Sequence, residues 1–233
     1  MSERTLEEVF GPEIIEQAPF RVIYADPPWE TPNRLATKSN PSSTHYPLMR
    51  NEDIANMPVA DIAARDAILV LWVTWPNMAW MSTVVRNWGF RYISGMPWLK
   101  VTKDGRPWIA LGRWFRECSE LVVVGKRGKP PVPPLGSARN GIILAPRGKE
   151  SRKPEEVAQW IESVSPGPYL EMFARRPRPG WSVWGLEADG SRYDGQGNMI
   201  SGPTPLEEPS AEDGAEVVAG YEEAAEARWR QGE

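Results

Sequence analysis

Short apolar runs alternate with amphipathic segments along roughly the first 185 residues of the chain. Continuous or alternating apolar character predicts strands at residues 21–25, 67–73, 90–100, 120–125, 142–145, 169–173 and 181–184. Apolar residues at helical spacing, after capping or proline signals, predict helices that begin near residues 5, 51, 58, 76 and 154. This alternation predicts an α/β fold with a mainly parallel, twisted sheet and helices on both faces.

The periodic pattern ends after Gly185. From about residue 201 the chain is rich in Gly, Pro, Ala and Glu, which predicts a disordered tail with a short helix at residues 211–230. A chain of 233 residues is long enough to bury a core. We therefore expect a single domain in residues 1–200 and an acidic tail in residues 201–233.

The charge is unevenly distributed along the chain. The net charge is −4, but residues 204–233 contain nine acidic residues and two arginines, so the remainder carries a net +3. A basic folded part with an acidic tail is typical of proteins that bind nucleic acid. A solvated surface with a solubilising tail explains the same charges equally well.

Cysteine and histidine occur once each, as Cys118 and His45. This composition excludes a disulfide framework and gives no reason to expect a Cys/His metal site. The longest apolar run, residues 67–73, is too short to span a membrane, and the amino terminus has no apolar signal core. We expect a soluble, cytoplasmic protein without a metal.

The run Asp26-Pro-Pro-Trp29 stands where the first predicted strand ends. Two prolines cannot donate ladder hydrogen bonds, so Asp26 should lie at the carboxyl end of a buried strand, where open α/β sheets bind ligands. Pro27 and Pro28 lack N–H groups but keep their carbonyls. We expect this tip to offer hydrogen-bond acceptors, with the Trp29 ring as a flat surface beside them.

Acceptors beside an aromatic ring suit a planar ligand that carries an amino group, such as adenine. The lone pair of that amine is delocalised into the ring, and acceptors outside the ring plane would favour a more tetrahedral, nucleophilic nitrogen. A strong base need not remove an amine proton before the attack, because that proton becomes acidic once the nitrogen has a new substituent. The alternative is a strand that simply ends in a Pro-Pro turn, with Asp26 as a cap and Trp29 in the core.

Two polar segments are candidate binding loops. The polar composition of residues 30–50 predicts a long loop after the strand tip, and such loops are often lids or binding loops. Residues 101–118 interleave basic and aromatic side chains, among them Arg113 and Trp114. Arginine can hold phosphate, and a ring that stacks on a base contributes about 1–3 kcal/mol. An ordinary loop that packs its tryptophans on the domain is the alternative.

Two distant motifs resemble the MT-A70 family of N6-adenine methyltransferases. The first is Asp26-Pro-Pro-Trp29, which resembles the family's catalytic motif. The second runs from Ser-Arg-Lys-Pro-Glu-Glu at residues 151–156 through Leu-Glu-Met-Phe-Ala-Arg at residues 170–175, and it resembles the half that binds S-adenosylmethionine. Their order is similar to the circularly permuted arrangement of that family. The resemblance covers about residues 20–187 and implies a Rossmann-like methyltransferase fold.

The resemblance also implies a role for individual residues. The catalytic residues would be Asp26, Pro27, Pro28 and Trp29; the substrate contacts Tyr46 and Glu120; and the cofactor contacts Lys153 and Arg175. The residue pattern by itself adds Arg113 and Trp114 as substrate contacts and Glu187 as a contact of the cofactor's ribose. The chain departs from the family pattern at Leu186, where relatives carry an asparagine. The missing amide would weaken cofactor binding by about 1 kcal/mol. The segment after Arg175 is also shorter than in eukaryotic relatives.

We therefore expect an S-adenosylmethionine-dependent enzyme that methylates the N6 amine of adenine in DNA. The target base would leave its stack and enter a pocket beside Asp26 and Tyr46, and an open slot should separate Asp26 from Lys153. Possible partners are nucleic acid, a second copy of the chain or a partner subunit. The alternatives are the same reaction on RNA, a non-catalytic nucleic-acid-binding protein with this fold and, less in keeping with Trp29, methylation of a protein amide.

Overall fold

The computed structural model describes residues 5–30, 47–110, 114–133, 141–148, 152–189, 191–193 and 199–201. Its helices are α1 (Leu6–Phe10), α2 (Pro12–Gln17), α3 (Asn51–Ala55), α4 (Val59–Ile62), α5 (Met78–Asn87) and α6 (Glu155–Val164). Its strands are β1 (Phe20–Ala25), β2 (Ala63–Val73), β3 (Arg91–Val101), β4 (Ser119–Arg127), β5 (Ile143–Pro146), β6 (Tyr169–Met172), β7 (Ser182–Trp184), β8 (Arg192–Tyr193) and β9 (Met199–Ser201).

Seven strands form one sheet in the order β5-β3-β4-β2-β1-β6-β7, and β8 pairs with β9 apart from it. The pairs β1–β2, β1–β6, β3–β5 and β6–β7 are parallel. The expected α/β fold is confirmed, and the sheet is mixed, because β4 runs antiparallel to both of its neighbours, β2 and β3. Such a sheet agrees with a Rossmann-like methyltransferase fold.

Helices cover both faces of the sheet, as expected. On one face α1 to α5 pack around side chains such as Ile23 and Leu69, and on the other α6 packs around Val22 and Val70. Neighbouring residues of β1 and β2 thus point to opposite cores, which explains why these strands are apolar without interruption. Several tryptophans lie in these two cores: Trp29, Trp72, Trp88, Trp98 and Trp181.

Short-range contacts define several of the helix ends. Thr5 caps α1, and the Thr5 side chain and Glu8 form a capping box. Gly89 has φ 82° just after α5, a conformation in which glycine is favoured. The helix predicted to begin near residue 51 does begin at Asn51; Arg50 stands at the cap position, and the buried Asn51 side chain donates to the Asn77 side chain at 3.0 Å.

The predicted domain boundary stays a prediction. The structure describes β8 and β9 beyond residue 190, and the tail from residue 202 onward lies outside the described residues. In the part of the chain that the structure describes, no helix has the length and apolar character required to cross a lipid bilayer.

Candidate active site

The site lies where β1 ends, between β2 on one side and β6 on the other. Both neighbours run parallel to β1, so their carboxyl ends meet at the same edge of the sheet. The backbone N–H of Asp26 points to the Met172 carbonyl at 3.5 Å, which places Asp26 beside the end of β6. This is the crevice in which open α/β sheets bind ligands.

Four charged side chains form a chain of alternating sign at this edge. The ammonium of Lys153 lies 2.6 Å from Asp26 Oδ2 and 3.3 Å from Glu120 Oε2. The other oxygen of Glu120 lies 2.5 Å from the ammonium of Lys100. The Lys153 side chain is only 11% exposed, and that of Asp26 is 28% exposed. The four formal charges cancel, although the residues come from four separate segments of the chain.

The two lysines set the charge of Glu120. Burial alone would raise the pKa of this carboxyl, but the positive charges of Lys153 and Lys100 outweigh burial and hold the pKa below its ordinary value of 4.5. Glu120 is therefore an anion at neutral pH.

Aromatic rings form an apolar floor beneath these charges. The ammonium of Lys153 lies 5.5 Å from the ring centre of Trp72, and that of Lys100 lies 5.1 Å from the ring centre of Trp98. The two rings pack edge to face, with their centres 5.8 Å apart, and Trp72 Nε1 donates to the Tyr24 hydroxyl. Burial raises the pKa of Tyr24, so its hydroxyl stays neutral. Such a floor strengthens the electrostatic interactions above it.

The two proline carbonyls were expected to be open acceptors, and the structure corrects this picture. The Pro27 carbonyl accepts from the backbone N–H of Trp29 at 2.8 Å, and the Pro28 carbonyl accepts from that of Met49 at 2.9 Å. Met49 lies near the end of the segment 30–50, so Pro28 helps to fasten this part of the chain to the strand tip. A carbonyl oxygen has two lone pairs, so Pro27 can still accept a second hydrogen bond.

Trp29 lies in the core, as in the simpler of the two interpretations of this motif. Its side chain is 5% exposed, and its Nε1 donates to the Trp72 carbonyl at 3.0 Å. The ring therefore supports the strand tip from inside, and it does not offer the flat open surface that was expected for a stacked base.

Arg175 and Glu187, two of the three predicted cofactor contacts, lie near each other. Arg175 Nε is 3.8 Å from Glu187 Oε2, on the segments that follow β6 and β7. Gly185 allows these segments to approach, because a Cβ there would lie 2.7 Å from backbone atoms of Ala174. Phe173, directly after β6, has φ 61°, which is unusual for a residue other than glycine.

Three predicted substrate contacts, Tyr46, Arg113 and Trp114, stand apart from the charged chain in sequence. Tyr46 and Arg113 lie outside the described residues. Trp114 is 93% exposed, and its neighbour Phe115 is exposed as well, so this loop presents aromatic rings to solvent. The ring of Trp108, earlier in the same segment, instead lies 4.8 Å from the Arg147 guanidinium.

The expected slot between Asp26 and Lys153 is closed, because the two groups are in direct contact. The Asp26 side chain is nevertheless not turned into the core, since more than a quarter of its surface remains exposed. The predicted catalytic and cofactor groups are thus adjacent, and they are paired with each other.

Lys100 and Arg178 are two charged residues of this region that sequence reasoning missed. Lys100 holds Glu120, whereas the guanidinium of Arg178 contacts both Glu155 at the start of α6 and Glu171 in β6. The sequence does contain a signal for Lys100, because it is the charged residue in the otherwise apolar segment 96–101. Among the described residues, no group of three His, Cys, Asp or Glu side chains could hold a metal ion.

The fold and this edge of the sheet define a class of α/β protein. In this class the acidic residue of a D-P-P-W motif stands at the tip of a strand, and a lysine from a distant segment lies beside it. The model of the MT-A70 family matches residues 20–187, which is most of the chain. The protein belongs to the MT-A70 family.

Three relatives illustrate the range of the family. The chain is 30% identical to the Type II methyltransferase M.MunI of a Mycoplasma species, over 81% of this chain and 85% of the relative. It is 29% identical to the human N(6)-adenine-specific methyltransferase METTL4, over 72% of this chain and 37% of the relative. It is 30% identical to the N6-methyladenosine RNA methyltransferase MTA1 of Pyricularia oryzae, over 74% of this chain and 48% of the relative.

Proposed function

We propose that the protein transfers a methyl group from S-adenosylmethionine to the N6 amine of adenine in DNA. The observation that carries this proposal is the position of Asp26, which ends a central parallel strand and contacts Lys153 of the second motif. Family membership and the named activities of the relatives support the reaction. The reaction needs nucleic acid and a soluble cofactor, so we also propose a cytoplasmic location.

The residues of the site fit the proposed cofactor. S-adenosylmethionine supplies an electrophilic methyl group, and its other groups are a carboxylate, an amine and an adenosine. Lys153 can bind the carboxylate, and Glu187 can accept hydrogen bonds from the ribose hydroxyls. Arg175 contacts Glu187 and would orient it. The apolar floor of Trp72 and Trp98 keeps water from one side of the site.

Asp26 would hold the target amine. Its carboxylate can accept one N–H of the adenine amine, and the second lone pair of the Pro27 carbonyl can accept the other. These two acceptors would direct the nitrogen lone pair toward the methyl group and place the reactants in line. Methylation of the amine by S-adenosylmethionine, with S-adenosylhomocysteine as the other product, would leave one surplus proton on the nitrogen. Asp26 could pass this proton to water, because its side chain is partly exposed.

The contact between Lys153 and Asp26 implies an exchange of partners. In the closed form each group neutralises the other. When the cofactor carboxylate binds Lys153, Asp26 loses its direct partner and becomes available to the amine. The closed pair therefore does not contradict the proposed chemistry, provided that cofactor binding opens it.

DNA is the proposed substrate because of the extent of the matches. The chain spans 85% of a Type II methyltransferase but about half of the RNA methyltransferase MTA1 and about a third of METTL4. Type II methyltransferases act on DNA as a class. The target base would have to leave its stack to reach Asp26, at a cost of a few kcal/mol. The exposed rings of Trp114 and Phe115 are candidates for stacking on neighbouring bases.

The proposal is tested by incubation with methyl-labelled S-adenosylmethionine and matched DNA and RNA pools, followed by analysis of the nucleosides. We expect labelled N6-methyladenine from the DNA pool. Label in the RNA pool alone would assign the same reaction to RNA. The absence of product from both pools, together with the absence of cofactor binding in a calorimetric titration, would support the non-catalytic alternative, which Leu186 and the closed ion pair favour.

A further inference from the structure

We propose that Lys100 is a positioning residue of the methyl-transfer site, which holds Glu120 so that Lys153 can turn to the cofactor's carboxylate. This inference rests on the proposed function and adds a residue to it. Lys100 comes from β3, and two strands, β4 and β2, stand between β3 and β1 in the sheet. Among the ion pairs of the described residues, none joins Lys100 to Asp26.

Glu120 is held between two lysines. Each of its carboxylate oxygens has its own lysine: Oε1 lies 2.5 Å from Lys100, and Oε2 lies 3.3 Å from Lys153. The shorter contact belongs to Lys100. Both Lys100 and Glu120 side chains are largely buried, so the pair is shielded from solvent. Lys100 is therefore in closer contact with Glu120 than Lys153 is.

Lys153 would have to bind several carboxylates at once. This one ammonium already contacts two carboxylates, Asp26 and Glu120, and the cofactor would bring a third. An ammonium has three donors, but a move toward a new partner lengthens the contact with an old one. Without Lys100, such a move would leave Glu120 buried with a weakened partner, and an incompletely paired buried charge is costly. Lys100 removes this cost, because Glu120 stays paired when Lys153 moves.

A residue that only stabilises the fold would behave differently. Its loss would weaken the binding of all cofactor fragments alike, whereas the proposed role concerns the carboxylate alone. 5′-Methylthioadenosine retains the adenosine and sulfur of the cofactor but has neither its carboxylate nor its amine. S-adenosylhomocysteine has all of these groups. The ratio of the two affinities therefore reports on the amino acid end, whose carboxylate Lys153 would bind, and cancels general damage to the site.

The experiment is a calorimetric titration of both compounds into wild type, Lys100→Met and Lys100→Met/Glu120→Gln. In Lys100→Met we expect about a tenfold loss of affinity for S-adenosylhomocysteine and little change for 5′-methylthioadenosine. In the double variant the affinity for S-adenosylhomocysteine should return to within about threefold of wild type, because no partly paired carboxylate is left. Lys100→Arg, which keeps the charge, should stay close to wild type.

Lys126→Met is the matched control, since it makes the same change six positions beyond Glu120, at the other end of β4. It should leave both affinities unchanged. If Lys100→Met is poorly folded, Lys100→Gln provides the same comparison. Equal losses for both compounds, or no loss for either, would overturn the role of Lys100 while the proposed function stands. A wild-type protein that binds neither compound would instead contradict the proposed function.

Discussion

Lys153 Nζ lies 2.6 Å from Asp26 Oδ2, although 127 positions separate the two residues along the chain. Asp26 belongs to the motif proposed to hold the target amine, and Lys153 belongs to the motif proposed to hold the cofactor. Their contact joins the two halves of the proposed reaction in a single ion pair. The central consequence is that cofactor binding and exposure of the Asp26 carboxylate are linked.

Replacement of Lys153 by methionine should weaken the binding of S-adenosylhomocysteine by at least about tenfold. The variant loses the cation for the ligand's carboxylate and leaves Asp26 and Glu120 as two nearby anions. Isothermal titration calorimetry measures this affinity. An unchanged affinity in a folded Lys153→Met protein would mean that the carboxylate binds elsewhere.

The contribution of Glu120 to stability should depend on pH with a defined sign. Its pKa is held below 4.5 in the folded protein, so the anion stabilises the fold at higher pH. Wild type should exceed Glu120→Gln in free energy of unfolding by on the order of 2 kcal/mol near pH 7. The difference should shrink as the pH falls below 4.5 and through the lowered pKa. Urea unfolding of both proteins at several pH values measures it, and a constant difference would show that the charge of Glu120 is not responsible.

Gly185→Ala should reduce both stability and cofactor affinity. The added Cβ would lie 2.7 Å from backbone atoms of Ala174, so the segments that carry Arg175 and Glu187 would have to separate. We expect a loss of about 1–3 kcal/mol in the free energy of unfolding, as for other overpacked sites. Gly141→Ala is the control, because an added Cβ there meets no atom within 4 Å. Equal effects of the two changes in thermal melts would rule out the close approach as the cause.

Trp29→Phe distinguishes a supporting ring from a stacking surface. The change keeps an aromatic side chain but removes the hydrogen bond from Nε1 to the Trp72 carbonyl, which costs about 1–2 kcal/mol of stability. Because the ring is buried, we expect the KM for the nucleic acid to stay within about threefold of wild type at a temperature where both proteins are folded. A large increase in KM with unchanged stability would restore the stacking role.

Local features of the sequence were sufficient to predict the elements around the site. Pro27 and Pro28 end β1 for a reason contained in those two residues, and the apolar run of residues 67–73 lies within β2. The capping box at Thr5 is likewise a short-range pattern. In each case the residues that form the feature are close in sequence, so the local sequence is enough to predict it.

Features that depend on distant partners were not predicted. The Pro28 carbonyl accepts from Met49, which is distant along the chain, and Asn51 is buried because Asn77 offers it a partner. The central antiparallel strand β4 follows from strand order, which the apolar pattern does not encode. The role of Lys100 was not predicted, because this residue lies beside Glu120, and Glu120 beside Lys153, only in the folded sheet.

The most direct test of the central claim is the Asp26→Asn variant, assayed in parallel for cofactor binding and for methyl transfer. The amide keeps the size of the side chain but removes the charge that holds Lys153 and would hold the amine. We predict that S-adenosylhomocysteine binds at least as tightly as to wild type, because Lys153 no longer has to leave Asp26, while formation of N6-methyladenine falls by about a thousandfold or more. Methyl transfer at the wild-type rate by Asp26→Asn would contradict the account.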